Sequence, residues 1–294
     1  MKHLDRIEYL TTEEIEEIIA SAASFKSGKY ANHSTRHAAL MFFENSTRTR
    51  FSFECALNRL GAHPYIFNLS TSSNAKGEII RDTINNMAAI GINMFIIRTT
   101  EENLIGELKE INFYKPVYFV NAGEGKSSHP TQALLDYFTI IEKLKTVKDK
   151  KVVIIGDIKH SRVAKSNIAL LSKFGANIVT TAPEYFKEEI KGAIFEPDLN
   201  KALAGADVVM CLRIQIERLE STVSKEDFIN NYGITTDNLP ENAILMHPGP
   251  VNRDVEIQSK VLDSPIGQTV LNQAENGVYI RMAVLDKIFK GQSK

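Results

Sequence analysis

Cysteine is scarce in this chain: Cys55 and Cys211 are the only two in 294 residues, and no CxxC spacing occurs. One far-separated pair is poor material for a disulfide, so both read as reduced, partly buried thiols. Long apolar runs are also missing. No stretch reaches the ~18 apolar residues that a membrane-spanning helix needs, so no membrane partner is expected. The opening MKHLDRIEYLTTEEIEEIIA carries acidic residues where a signal peptide needs an apolar core, which points to the cytoplasm. Neither sign of charge prevails, with 35 lysines and arginines against 36 acidic residues and a formal net charge of −1. There is no global basic field to hold a nucleic acid, although a local basic cleft is compatible with that balance. A small-molecule enzyme is favoured over a nucleic-acid binder.

Several chemical signatures are absent as well. No HExxH is present, no second histidine or cysteine stands at ligand spacing from His129, and no metal site is expected. No serine sits in GxSxG and no Cys–His pair is credible, so a covalent nucleophile is not indicated. Gly156, in IIGDIKHSRVAKSN (154–167), lacks the glycines that would complete a dinucleotide fingerprint. No cofactor is therefore expected, and a nicotinamide dehydrogenase is a disfavoured rival. No short-period repeat or low-complexity linker interrupts the chain.

What is present is an alternation of apolar runs with helical spacings. Thr11 or Thr12, followed by Glu13 and Glu14 and then Ile15, Ile18 and Ile19, marks a helix start. HAALMFFE (37–44) reads as a strand, 46–50 as a polar break, and FSFECALNRLG (51–61) as a helix closed by Gly61. Strands follow at 63–69, 93–99 and 116–123, with helices at 76–91, about 101–109 and 129–144. A second series runs through 151–156, 166–175, 176–183, 206–211 and 242–249, and a terminal helix begins near 265–270. The fold class expected is α/β: two domains, each a central parallel sheet flanked by helices, with a ligand cleft between them. The lysine-rich KLKTVKDKK divides the chain into 1–144 and 145–269, with a helix over about 270–294 that packs back on the first domain.

Polar residues cluster where strands end. Ser46, Thr47, Arg48, Thr49 and Arg50 lie between a strand and a helix, where unpaired N–H groups, hydroxyls and a guanidinium fork suit a phosphate. Arg48 and Arg50 are two apart and cannot face the same way on a helix, so Arg50 is read as structural. STSSNAKGE (70–78), which contains Ser72 and Lys76, is a second polar loop before a helix. Arg98 closes an apolar strand. His129 and Gln132 share the first turn of a helix that Pro130 initiates, so both can face one ligand. In the second half, His160, Ser161 and Arg162 follow one strand and Arg213 and Gln215 follow another; two arginines at separate strand ends suit a dicarboxylate. Pro248, Gly249 and Pro250 form a rigid turn that exposes backbone carbonyls. Each set also fits a plainer reading as caps, solvated arginines or surface ion pairs, and a non-catalytic anion or amino-acid binder fits the same architecture.

Taken together, STRTR (46–50), SSNAKGE (72–78), HPTQ (129–132), HSRVAKSN (160–167), LRIQ (212–215) and HPGPVNRDVEI (247–257) resemble the aspartate carbamoyltransferase catalytic chains, in order and across nearly the whole sequence. The resemblance implies transfer of a carbamoyl group from carbamoyl phosphate to the amino group of L-aspartate, a step of pyrimidine biosynthesis. It makes 1–144 the carbamoyl phosphate domain and 145–269 the aspartate domain. It assigns the phosphate to Ser46, Thr47, Arg48 and Thr49 with Arg98, and the carbonyl oxygen to Thr49, Arg98 and His129. Gln132 and the backbone of Pro248 and Gly249 meet the NH2 group. Arg162 takes the α-carboxylate of aspartate, and Arg213 with Gln215 the β-carboxylate. Ser72 and Lys76 resemble residues lent to a neighbouring subunit, which implies a homotrimer with shared active sites. Regulatory chains accompany some members and a dihydroorotase others, and the resemblance does not choose. The rival ornithine carbamoyltransferases carry HCLP where this chain has HPGP and lack LRxQ. Gly249 departs from the leucine or alanine of other members.

Overall fold

A computed structural model of the chain describes residues 1–67, 77–214 and 224–292. It divides into two compact units, Met1–Thr131 with Asn276–Lys294, and Gln132–Glu275. The division falls inside a helix, ahead of the lysine-rich stretch at 141–150.

The first unit opens with α1 (Thr12–Lys26). Thr11 is its N-cap: the Glu14 N–H donates to Thr11 Oγ1 and the Thr11 N–H to Glu14 Oε2, each at 3.2 Å. Ile15, Ile18, Ile19, Ala22 and Phe25 form its buried stripe. There follow β1 (His37–Phe42), α2 (Thr47–Arg59), β2 (His63–Phe67), α3 (Ile80–Ala89), β3 (Met94–Thr99), α4 (Leu104–Lys109) and β4 (Tyr118–Glu124). The strands pair in parallel in the order β2-β1-β3-β4. Ala39, Met41, Phe95, Ile97 and Phe119 bury one face of the sheet together with Ile84, Ala88, Ile105 and Leu108. Near-continuous apolar runs such as HAALMF are what a sheet covered on both faces requires.

Helix α5 (Pro130–Leu144) carries the chain into the second unit, which contains β5 (Lys151–Ile155), α6 (Arg162–Lys173), β6 (Asn177–Thr181), β7 (Ala193–Phe195), α7 (Leu199–Leu203), β8 (Val208–Cys211), α8 (Lys225–Tyr232), β9 (Ile244–Met246) and α9 (Ser259–Leu262). Its sheet is also parallel, ordered β7-β6-β5-β8-β9. Helix α10 (Gln268–Gly291) begins here, and its residues from Asn276 onward belong to the first unit. There Arg281 donates to Ser52 Oγ at 2.9 Å and lies over the Phe53 ring at 4.9 Å.

The alternation of the sequence thus appears as two parallel α/β layers, with local corrections. The polar break at 46–50 is the start of α2, whose first turn is polar and gives no apolar signal. Helix α6 begins at Arg162, four residues before the apolar spacing at 166 reveals it. Cys55 is exposed, not partly buried, whereas Cys211 is buried in β8. No helix among the described residues is long and apolar enough to cross a membrane.

Candidate active site

In an open parallel sheet, ligands bind beyond the carboxyl ends of the strands, where connections diverge to opposite faces. In the first unit that divergence lies between β1 and β3. Phe42 sits opposite Arg98 in the β1–β3 register, and the Phe43 N–H donates to the Arg98 carbonyl at 2.8 Å. The turn that follows leads through Ser46, the N-cap of α2, to Thr47, Arg48 and Thr49 on its first turn. Thr47 and Arg48 are exposed and Thr49 is buried. Arg50, 200° round the helix from Arg48 at 100° per residue, is held by Glu54 at 3.2 Å and lies over Phe51.

Arg98 is fixed on several sides. Its Nε lies 2.7 Å from Glu44 Oε1, its Nη1 donates to the Ala122 carbonyl at 3.1 Å, and the same nitrogen lies 3.5 Å from His129 Nε2. His129 is 4% exposed, on the turn between β4 and α5. That turn is braced by the N-terminal segment: Leu4 bridges to Val120, and the Asp5 carbonyl accepts from Asn121 Nδ2 at 2.9 Å and Ser128 Oγ at 3.3 Å. Glu124, at the end of β4, accepts the Ile105 N–H at 2.9 Å, and burial raises its pKa above the usual carboxylate range. The strand ends of β1, β3 and β4 therefore gather hydroxyls, helix N–H groups, Arg98 and His129 at one sheet edge, a donor-rich set suited to an anion with a polarised carbonyl.

In the second unit the divergence lies between β5 and β8. Gly156, at φ +122°, ends β5 where an added Cβ would stand 3.1 Å from the Leu212 carbonyl, so glycine lets the two strand ends lie side by side. Arg162 opens α6, whose N-cap Ser161 accepts the Ala164 N–H at 3.1 Å. His160 is paired with Asp157 at 3.0 Å. Arg213 follows β8, partly buried, and the adjacent Ile214 N–H donates to Glu256 Oε1 at 2.8 Å. Asn252 donates to the same carboxylate through its side chain at 2.7 Å and through its backbone N–H at 2.6 Å, and to the Ile214 carbonyl at 3.0 Å. This buried carboxylate ties the Arg213 segment to the turn after β9. Pro248 and Gly249 form that turn; Gly249 has φ +70°, where a side chain would be strained, and its N–H donates to His247 Nδ1 at 2.8 Å.

The structure brings Arg98 against His129 in one unit and, in the other, ties Ile214, next to Arg213, to Glu256 and Asn252, which follow the Pro248–Gly249 turn. Gln132 is buried on α5 and donates to Asp136 Oδ1 at 3.0 Å. Ser72, Lys76 and Gln215 lie outside the described residues. The sequence reading missed Glu44, Asp136, Glu256 and Gln273, all acceptors or relays that hold the named residues. One signal was available: Asp136 is the lone charge in the apolar run ALLDYFTII, one helical turn after Gln132. Burial pushes the Cys211 thiol far up, so it is no nucleophile. Among the described residues no group of three or more histidines, cysteines or acids is placed to hold a metal.

Comparison with known proteins gives this arrangement a family. Residues 2–142 match the carbamoyl-P binding domain of the aspartate/ornithine carbamoyltransferases, and 148–288 match their Asp/Orn binding domain. The aspartate carbamoyltransferase catalytic subunit of Listeria monocytogenes is 42% identical over 299 residues, covering 99% of this chain and 97% of its own. Aspartate transcarbamoylase from Trypanosoma cruzi, solved with carbamoyl aspartate and phosphate, is 28% identical with a TM-score of 0.85 over 97% of this chain and 94% of its own. Ornithine carbamoyltransferase from Pyrococcus furiosus is nearly as similar in fold, with a TM-score of 0.84 at 29% identity over 98% of this chain and 97% of its own. Both halves of the chain thus match in order, and the chain belongs to the aspartate/ornithine carbamoyltransferase family.

Proposed function

We infer that this chain transfers the carbamoyl group of carbamoyl phosphate to the amino group of L-aspartate, giving N-carbamoyl-L-aspartate and phosphate in pyrimidine biosynthesis. The observation that carries the reading is full-length identity of 42% to an aspartate carbamoyltransferase catalytic subunit. The fold alone does not choose the acceptor, because an ornithine carbamoyltransferase shares it. Arg213 supports aspartate on physical grounds: a second guanidinium attracts a β-carboxylate and repels the side-chain ammonium of ornithine.

In this reading the phosphate lies on Ser46, Thr47, Arg48 and Thr49, and the carbonyl oxygen on Thr49, Arg98 and His129. Gln132 and the carbonyls of Pro248 and Gly249 take the NH2 group, and Arg162 with Arg213 and Gln215 takes aspartate. The amine attacks the carbonyl carbon, and the tetrahedral intermediate expels phosphate, which accepts the amine proton. No enzyme nucleophile is required. Donors fixed in advance, as Arg98 is by Glu44 and Ala122, stabilise the oxyanion without reorganising. The enzyme works in the cytoplasm as a homotrimer, with Ser72 and Lys76 completing a neighbour's site.

A phosphonate joined through an acetyl group to the nitrogen of L-aspartate, N-(phosphonacetyl)-L-aspartate, tests both halves at once. Calorimetry should show one tight site per chain, displaced by carbamoyl phosphate and lost in Arg48→Ala. No binding to the intact protein, or full binding to the variant, overturns the assignment.

A further inference from the structure

Asp136 is fully buried on α5, and three side-chain amides turn toward it. Gln132 Nε2 donates to Oδ1 at 3.0 Å, Gln273 Nε2 to Oδ1 at 2.8 Å, and Asn167 Nδ2 to Oδ2 at 2.8 Å. An ionised carboxylate only accepts, so each amide must present its nitrogen to it, and that choice fixes where each amide oxygen points. For Gln273 the consequence is visible: its Oε1 accepts the His247 N–H at 2.8 Å, and His247 Nδ1 in turn accepts the Gly249 N–H at 2.8 Å. Reversing the Gln273 amide would set its NH2 against the His247 N–H and its oxygen against the Asp136 carboxylate. Asp136 therefore reaches the Pro248–Gly249 turn through a relay with a single polarity.

We propose that Asp136 is a positioning residue that orients the Gln132 amide so that Oε1, not Nε2, is the atom offered to the substrate. The proposal rests on the reading that places Gln132 on the carbamoyl NH2. A carbamoyl NH2 donates and has no useful lone pair, so only an acceptor recognises it. Without Asp136 the Gln132 amide loses the acceptor that holds its nitrogen and can present its own NH2 to the substrate. Through Gln273 the same carboxylate holds the turn whose two carbonyls face that NH2. Asp136 thus sets selectivity for a carbamoyl over an acyl group without touching substrate.

Two stable phosphonates read this directly: phosphonoacetamide, which carries the NH2, and phosphonoacetone, which has CH3 in its place. Their dissociation constants are measured by calorimetry for the wild type, Asp136→Leu and Gln132→Ala. In both variants phosphonoacetamide should weaken about tenfold, the loss of one good hydrogen bond, while phosphonoacetone stays within about twofold. If Gln132→Ala leaves the ratio of the two unchanged, the reading of Gln132 itself is wrong. If Gln132→Ala shifts the ratio and Asp136→Leu does not, or weakens both ligands alike, Asp136 has no orienting role. Should Asp136→Leu not fold, wild-type protein labelled with 15N at glutamine decides, the Gln132 signal being identified by its absence from Gln132→Ala. One Gln132 side-chain proton should resonate downfield of those of exposed Gln258 and Gln268 and stay there when phosphonoacetamide binds. A proton that moves on binding as it transfers to the ligand overturns the proposal.

Discussion

Replacing Arg98 by lysine keeps the positive charge and removes the fork. The guanidinium places Nε 2.7 Å from Glu44 and Nη1 3.1 Å from the Ala122 carbonyl, and its plane is set by those two anchors together. A lysine ammonium is one point on a flexible stem, so it can meet Glu44, or Ala122, or a substrate oxygen, but not in one fixed geometry. The loss of one preorganised oxyanion donor is about 2.7–4 kcal/mol of barrier, or about 10²–10³ in kcat. The effect on folding is smaller, because Glu44 keeps a cation and only one charged hydrogen bond, about 1.5–3 kcal/mol, is given up. Initial rates at saturating carbamoyl phosphate, with a thermal melt as control, separate the two. The expected result for Arg98→Lys is a fall in kcat of at least about a hundredfold with the melt still cooperative. A kcat within about threefold of the wild type would mean that Arg98 holds Glu44 and the strand ends together and does nothing for the oxyanion.

Three further outcomes follow from the same account. Arg213→Leu should raise the KM for aspartate about 10- to 100-fold, the value of a charge-assisted pair, and leave carbamoyl phosphate binding intact; equal losses on both substrates would count against a β-carboxylate role. Arg48→Ala and Lys76→Ala should each be inactive, yet mixing and reassembling them should recover about a quarter of wild-type activity, since about one interface in four of a random trimer then carries both native residues; no recovery would exclude sites shared between subunits. His3 accepts the Phe119 N–H on Nδ1 at 3.1 Å, and burial, followed by the charges of Lys2 and Lys109, lowers its pKa from 6.5 to about 4. Because the unfolded chain then binds the proton that the native chain refuses, stability is complete above pH 6.5 and should fall as pH drops from there toward about 4. Urea midpoints against pH should show a shallower fall for His3→Gln, and identical slopes would remove His3 from the effect.

Much of the fold was legible because its local signals agree with its global arrangement. Covered parallel strands must be apolar in near-continuous runs, and AALMF and MFII are; helices that stop at Gly61 and Gly91 announce their ends. Strand β7, with three residues, and helix α7, with five, are too short to show a period, and both were missed. The start of α2 was hidden because Ser46 to Thr49 are all polar and show no apolar spacing. At the site, residue type and placement exposed the donors. Arginines at strand ends and a histidine before a proline-initiated helix stand out in a chain of balanced charge. The acceptors that aim them did not stand out. Asp136 and Gln273 are 137 residues apart, and nothing in either stretch points to the other until α5 and the start of α10 are folded into one unit. Glu44 and Glu256 are ordinary acids in polar loops until the structure sets Arg98 and the Ile214 N–H beside them.

The most direct measurement is mass spectrometry of the products formed by the purified protein from carbamoyl phosphate with L-aspartate and, in parallel, with L-ornithine, each against a reaction without enzyme. Enzyme-dependent N-carbamoyl-L-aspartate with no citrulline is the expected result. Citrulline alone would keep the phosphate half of the site and contradict the role given to Arg213. Neither product from an intact, assembled protein would contradict carbamoyl transfer itself.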